Sequence, residues 1–335
     1  MNSGRHAFHG VVALAAAAGA ILLAMPAVLP PYPLFILSYA LIVAIACAGL
    51  NVLYGTSGLL SLGHAAYFGT GAYTGAFLYR FFGLESLEAY LFSGTVAAGA
   101  LAAAVGFLCV RATKIHFAIL TLSFSMVLHA LIIDGAIFAL FGPLGWALYL
   151  VTEGSMYVPR LTVLGVERAP NAFVPVLYNV IALSFVVTLL LLRRIDRSPF
   201  GLALRGVRDS ESRAAFVGVA VARYRWAAFL ISGTTVGFAG ALYGPLARQI
   251  TPEQLHWLFS ANLLLATALG GARRFLGPVL GAFLYVGLDE YAVSWIEYRG
   301  AVFGMLLILV IFAIPGGLID LAARAAARLG GRARD

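Results

Sequence analysis

Long apolar runs broken by short polar gaps dominate the chain from beginning to end, and each run is judged against the roughly 20 apolar residues that a helix needs to cross a bilayer. That ruler marks ten candidate spans: 10–29, 33–53, 65–82, 89–110, 115–141, 173–192, 226–246, 257–271, 275–296 and 300–319. Residues 173–192 form the cleanest, carrying no charge before Arg193 and Arg194 end them. The runs 65–82 and 257–271 are weaker, one because it is short and glycine-rich, the other because few apolar residues precede the Gly-Gly-Ala-Arg-Arg turn. The pattern therefore predicts an all-α polytopic membrane protein, a bundle of 8–10 transmembrane helices forming one domain over 1–335. The first run is read as a retained helix rather than a cleaved leader, since nothing after it patterns as a soluble domain.

Composition agrees: 62% of residues are hydrophobic and 11% charged, against the 45–50% or so apolar of soluble domains. The net charge of +8 does not imply nucleic acid, because the basic residues sit in the gaps between spans, where headgroups attract them. Charge bias predicts both termini, Arg111 with Lys114, the stretch 193–225, and Arg273 with Arg274 on the cytoplasmic side, and a long 142–172 loop on the outer, periplasmic side. Only Cys47 and Cys109 occur, too few for a disulfide framework or a thiolate metal cluster.

Glycines recur four apart at 71 and 75, 233 and 237, 240 and 244, and 277 and 281, which bares one side of a helix for close packing. Residues 51–75 combine glycines at 55, 58, 63, 69, 71 and 75 with Asn51, Ser57, Ser61 and His64, predicting a discontinuous segment. Asn51, Ser61, Gly63, His64, Gly69 and Gly71 are the candidate lining of a translocation path, with freed amides at a half-helix start facing a polar solute. The alternative for these residues is a purely structural break. Intramembrane ionisable groups are few: His116, His129, Asp134, Asp289 and Glu290. His116 and His129 fall on opposite helix faces, and no relay of acids emerges. No P-loop, dinucleotide fingerprint or zinc-protease motif is present, so the chain is not expected to be an enzyme, and energy for any uphill movement of cargo would come from another polypeptide.

Between Leu192 and Trp226 lie eight arginines and three acids. Ser198 then Pro199 is a helix start, with Phe200, Ala203, Leu204 and Val207 on one side and Arg205 and Arg208 on the other. A second start follows at Asp209 or Ser210, with Glu211 in the first turn and Gly218 placed to end it. Two short amphipathic helices in such a loop are suited to docking on a partner, the alternative being to lie along the lipid headgroups.

Glu211, Ala214, Ala215 and Gly218 resemble the Glu-Ala-Ala…Gly coupling segment of ABC importer permeases. More widely, 58–78, 198–233, 237–244, 269–282 and the Leu-Leu-Ile-Leu-Val-Ile-Phe-Ala-Ile-Pro-Gly-Gly-Leu run near the end resemble LivM-type permeases of the branched-chain amino acid transport family. The resemblance implies a bacterial inner-membrane permease subunit paired with a second, related permease, two ATPase subunits and a periplasmic solute-binding protein. It assigns Arg208, Asp209, Glu211, Ala214, Ala215 and Gly218 to ATPase coupling, and leucine, isoleucine and valine or another small polar solute as cargo. Two blocks depart from the family's usual runs, ATKIHFAILTL and FALFGPLGWALYL, where a path or outer gate could differ. The rival reading is a carrier or channel that works without an ATPase.

Overall fold

The computed structural model describes Gly19 and residues 22–112, 114–140, 142–166, 170–293 and 304–305. Of the expected span 10–29 only Gly19 and residues 22–29 are described, and of 300–319 only residues 304–305; both termini lie outside the described residues. The helices are α1 (Pro31–Asn51), α2 (His64–Phe82), α3 (Leu87–Cys109), α4 (Lys114–Ile133), α5 (Ala136–Ala139), α6 (Gly142–Thr152), α7 (Pro170–Asp196), α8 (Pro199–Asp209), α9 (Glu211–Phe216), α10 (Val221–Ala247), α11 (Trp257–Gly270) and α12 (Gly277–Val293). The architecture is all-α, as the hydrophobic pattern predicts. Among the described residues, five stretches are long and apolar enough to cross a membrane: 31–57, 87–109, 115–133, 173–196 and 221–247.

Helix α2 has 19 residues but carries glycine and hydroxyl groups, and it survives by burial inside the bundle rather than by facing lipid. Its neighbours are α3 and α10, and the three meet backbone to backbone. A Cβ on Gly71 would run into the Gly237 carbonyl, and one on Gly240 into the Phe68 carbonyl. The four-residue glycine spacing thus does what it predicts: van der Waals packing of bare helix faces replaces the hydrophobic drive that lipid does not supply.

The run expected as one span over 115–141 is divided. Helix α4 stops at Ile133, Gly135 turns the chain with φ 71°, and α5 begins after it. The 142–172 stretch expected as a loop opens with the eleven-residue helix α6. Beyond it, β1 (Met156–Tyr157) pairs antiparallel with β2 (Gln249–Ile250), Met156 opposite Ile250. Backbone bonds from Leu87 to Thr162 and from Thr162 to Glu85 stitch the start of α3 to the same end. One end of the bundle therefore carries this ribbon, and the other carries the arginine-rich residues 193–220. Cys47 and Cys109 are both buried as free thiols.

Candidate functional site

Helix α1 does not continue into α2. Its last turn widens into a π turn over Val52–Ser57, the Ser57 hydroxyl donates back to the Leu53 carbonyl, and Gly58 leaves the helix with φ 73°. Residues 58–63 then run without helical structure to α2 at His64. A π turn carries an extra residue and is a frequent mark of functional positions in helices. The discontinuity read from the sequence is present and falls at 52–63.

Irregular backbone at membrane depth must find partners within the protein. Here it does. The Leu62 amide donates to Thr121 Oγ1 at 3.3 Å and the Ala65 amide to Ser260 Oγ at 2.7 Å. His64 is fully buried, with Nδ1 2.9 Å from Ser61 Oγ and Nε2 2.8 Å from Ser232 Oγ, and its ring lies edge-on to Tyr67 and Phe229. The half-helix amide expected to face a solute is thus occupied by a serine of α11.

Gly63 and Gly69 are close-packing positions in the same way as Gly71: a Cβ on Gly63 would strike the Thr121 carbonyl, and one on Gly69 the Leu255 side chain. Asn51 differs. Its Oδ1 is buried without a hydrogen-bond partner, and the residue lines a small polar cavity with Gly55, Thr56, Asp196, Arg205 and Arg208. Of the six residues grouped from sequence, Ser61, Gly63 and His64 come together at the start of α2, Gly69 and Gly71 face helices and loops further along, and Asn51 opens toward the arginine-rich end.

The arginine-rich stretch folds as its capping residues dictate. Ser198 Oγ accepts from the Gly201 amide, with Pro199 in the first helical position of α8. Ser210 rather than Asp209 caps α9, accepting from the Arg213 amide, and Gly218 reverses the chain with φ 89°. Leu204 and Val207 are buried, and Phe200 stacks on Tyr224 of α10 at 5.5 Å.

The polar residues are committed in ways the spacing does not reveal. Arg205 binds both the carboxylate and the carbonyl of Asp196 at the end of α7. Glu211 holds Arg225 through two bonds, 2.9 and 2.6 Å, with the arginine buried and the carboxylate half-exposed. Arg208 reaches the Gly55 carbonyl at 2.7 Å, and its Nε contacts Asp209.

These bonds fix the handle to the bundle and leave its tip bare. Ala214 is buried and Ala215 exposed, while Phe216, which the sequence reading passes over, and Val217 are 91% and 80% exposed. Phe216 is thus a large aromatic left almost entirely uncovered next to the turn that Gly218 makes. Phe216 is hydrophobic in a hydrophobic chain, so no signal short of its exposure distinguishes it. At the ribbon end, His129 and His256 bring their rings to 4.9 Å across α4 and the start of α11, a pairing of distant residues that spacing along one helix does not reveal. Among the described residues, no group of three or more His, Cys, Asp or Glu is arranged to hold a metal ion.

Comparison with known proteins gives this geometry a setting. Residues 32–311 match the family described as branched-chain amino acid transport system / permease component. The chain is 29% identical over 293 residues to the high-affinity branched-chain amino acid transport system permease protein LivM of Escherichia coli (strain K12), covering 82% of this chain and 66% of that protein. It thus spans about two thirds of that relative's length. Over 292 residues it is 24% identical to the corresponding LivH of Escherichia coli (strain K12), covering 82% and 90% of the two chains. A probable LivH of Methanocaldococcus jannaschii is 30% identical over 124 residues, 36% of this chain and 38% of that protein. No solved structure matches. With most of its length inside the match and an all-α, membrane-spanning fold, the chain belongs to the branched-chain amino acid transport system permease family.

Proposed function

We propose that this chain is a membrane-spanning permease subunit of an ATP-driven importer, moving branched-chain amino acids or a related small polar solute. It has no ATP site of its own; two ATPase subunits bind ATP and Mg and drive it. A second permease of the same family completes the pore, and a periplasmic solute-binding protein delivers cargo at the ribbon end. The setting is a bacterial inner membrane, with residues 193–225 in the cytoplasm.

The observation that carries the reading is the bare corner at Phe216 and Val217, held out from the bundle by the Glu211–Arg225 pair. In this reading the ATPase subunit covers that corner. Ala215 and Gly218 shape it, Ala214 packs its underside, and Asp209 and Glu211 act by holding α9 in place rather than by reaching the partner. The discontinuous stretch 52–63 is the part of the path that changes shape, with Asn51 at its mouth, Ser61 and His64 at its base, and Gly63, Gly69 and Gly71 setting the close packing around it.

Co-purification of the chain with its partner subunits tests this. ATPase subunits recovered in fixed ratio with the wild type and lost with Gly218→Trp or Glu211→Arg support the importer. A chain that transports solute with no ATPase attached overturns it.

A further inference from the structure

The discontinuous stretch is held very differently at its two ends. Toward α2 it is fixed by buried groups from three other helices: Thr121 on the Leu62 amide, Ser260 on the Ala65 amide, and Ser232 on the His64 ring. Toward α1 the Gly58 and Leu59 amides still reach back to the Tyr54 and Leu53 carbonyls, but the helix goes no further. The carbonyl of Gly55 is capped by Arg208, 153 positions away, from a helix whose outer face is exposed.

The arginine is seated, not merely near. Its Cγ lies 2.6 Å from where a Cβ on Gly58 would be, so its stem crosses the chain at a residue with no side chain. Gly58 is also the residue that leaves the π turn with φ 73°, so both needs select glycine at the same position. Beside the bond lies a small polar cavity lined by Asn51, whose buried Oδ1 has no hydrogen-bond partner. That cavity gives the turn space and an unused acceptor if it rearranges. On the other side, Arg205 grips Asp196, so α8 is tied to the end of α7 by one arginine and to the discontinuous stretch by the next one along the same face.

We infer that Arg208 is the positioning residue through which movement of α8 reaches the discontinuous stretch: it holds the Gly55 carbonyl in the resting state, and displacement of α8 releases or pulls the π turn. The docking corner and the latch are then separate parts of one handle, Phe216 and Val217 facing the partner and Arg208 facing inward. This inference rests on the importer reading for the source of the displacement, but the bond itself is a property of the chain.

Two measurements test it, one on the reconstituted complex of the full chain with its partners and one on the full chain by itself, using Arg208→Gln, Arg208→Lys and Gly58→Ala. The first is solute moved per ATP hydrolysed in proteoliposomes. Loss of a hydrogen bond from a charged donor corresponds to about a tenfold change, so Arg208→Gln is expected to lower this ratio about tenfold. Lysine, a point charge without the planar fork, restores it in part. Gly58→Ala, which displaces the arginine stem, lowers it as glutamine does. The second is hydrogen exchange of the chain in detergent, which needs no ATPase. Amides of 55–62 exchange about tenfold faster in Arg208→Gln, while those of 66–82 stay at the wild-type rate.

An unchanged exchange rate over 55–62 overturns the latch whatever the transport result. Parallel loss of transport, hydrolysis and bound ATPase also overturns it, by making Arg208 a docking residue. Absence of ATPase from the wild-type complex is a different failure, that of the importer reading, and the exchange measurement still decides whether the bond holds the turn.

Discussion

Helix α10 meets two kinds of neighbour, and the contrast between them divides the molecule. Against α2 it presents bare backbone, Gly71 on the Gly237 carbonyl and Gly240 on the Phe68 carbonyl, and against α3 its glycines close on small side chains, Gly233 on Ala102 and Gly237 on Ala98. Against α8 and α9 it presents side chains: Tyr224 stacked on Phe200 and Arg225 gripped by Glu211. Backbone contacts of the first kind lock helices into a single body. Contacts of the second kind can pivot about χ angles without losing their partners, which suits a handle mounted on that body.

The sharpest way to break the comparison is to give the core a side chain. Gly71→Leu forces a branched group into the Gly237 carbonyl and is expected to cost about 3 kcal/mol, seen as loss of monodisperse protein in detergent. Uptake falls with it, in proportion to folded protein. His64→Ala comes next. It leaves the Ser61 and Ser232 hydroxyls buried without the ring between them, for about 2 kcal/mol and a lower Tm of the purified chain.

The handle should answer more softly. Ser198→Ala removes the cap on α8 for about 1 kcal/mol, read as faster exchange of amides 200–202 with the bundle helices unaffected. Phe216→Ala, at an exposed tip, should change Tm by less than the equivalent of about 0.5 kcal/mol while reducing the ATPase subunits recovered with the chain. A large stability loss from Phe216→Ala, or none from Gly71→Leu, would erase the distinction.

Much of this was legible along the chain because it depends on neighbours in sequence. The Ser198-Pro199 start, the second cap at 210, the positive φ of Gly218 and the break after Asn51 follow from local capping, ring and Cβ constraints, and all are present. The end of α4 at Ile133 was hidden because Asp134 and Gly135 sit inside an apolar run that continues past them, so hydropathy alone joins what Gly135 separates. Long-range partners were not legible at all. Nothing in the spacing of Arg208 points to Gly55, nor in that of Glu211 to Arg225, since both pairings exist only after α8, α9 and α10 have packed. The six residues grouped as one path share polarity or small size, but small size serves close packing as readily as a channel, and for Gly63, Gly69 and Gly71 the neighbours are carbonyls and a leucine.

The two thiols of the chain have a practical corollary. Cys47 lies inside α1 and Cys109 at the end of α3, both shut away from solvent. A maleimide fluorophore or spin probe offered to the folded protein should therefore pass over the native thiols. One cysteine introduced at Val217 would then report its own surroundings against a dark background, and shielding of that single dye by an added subunit would reveal contact in real time.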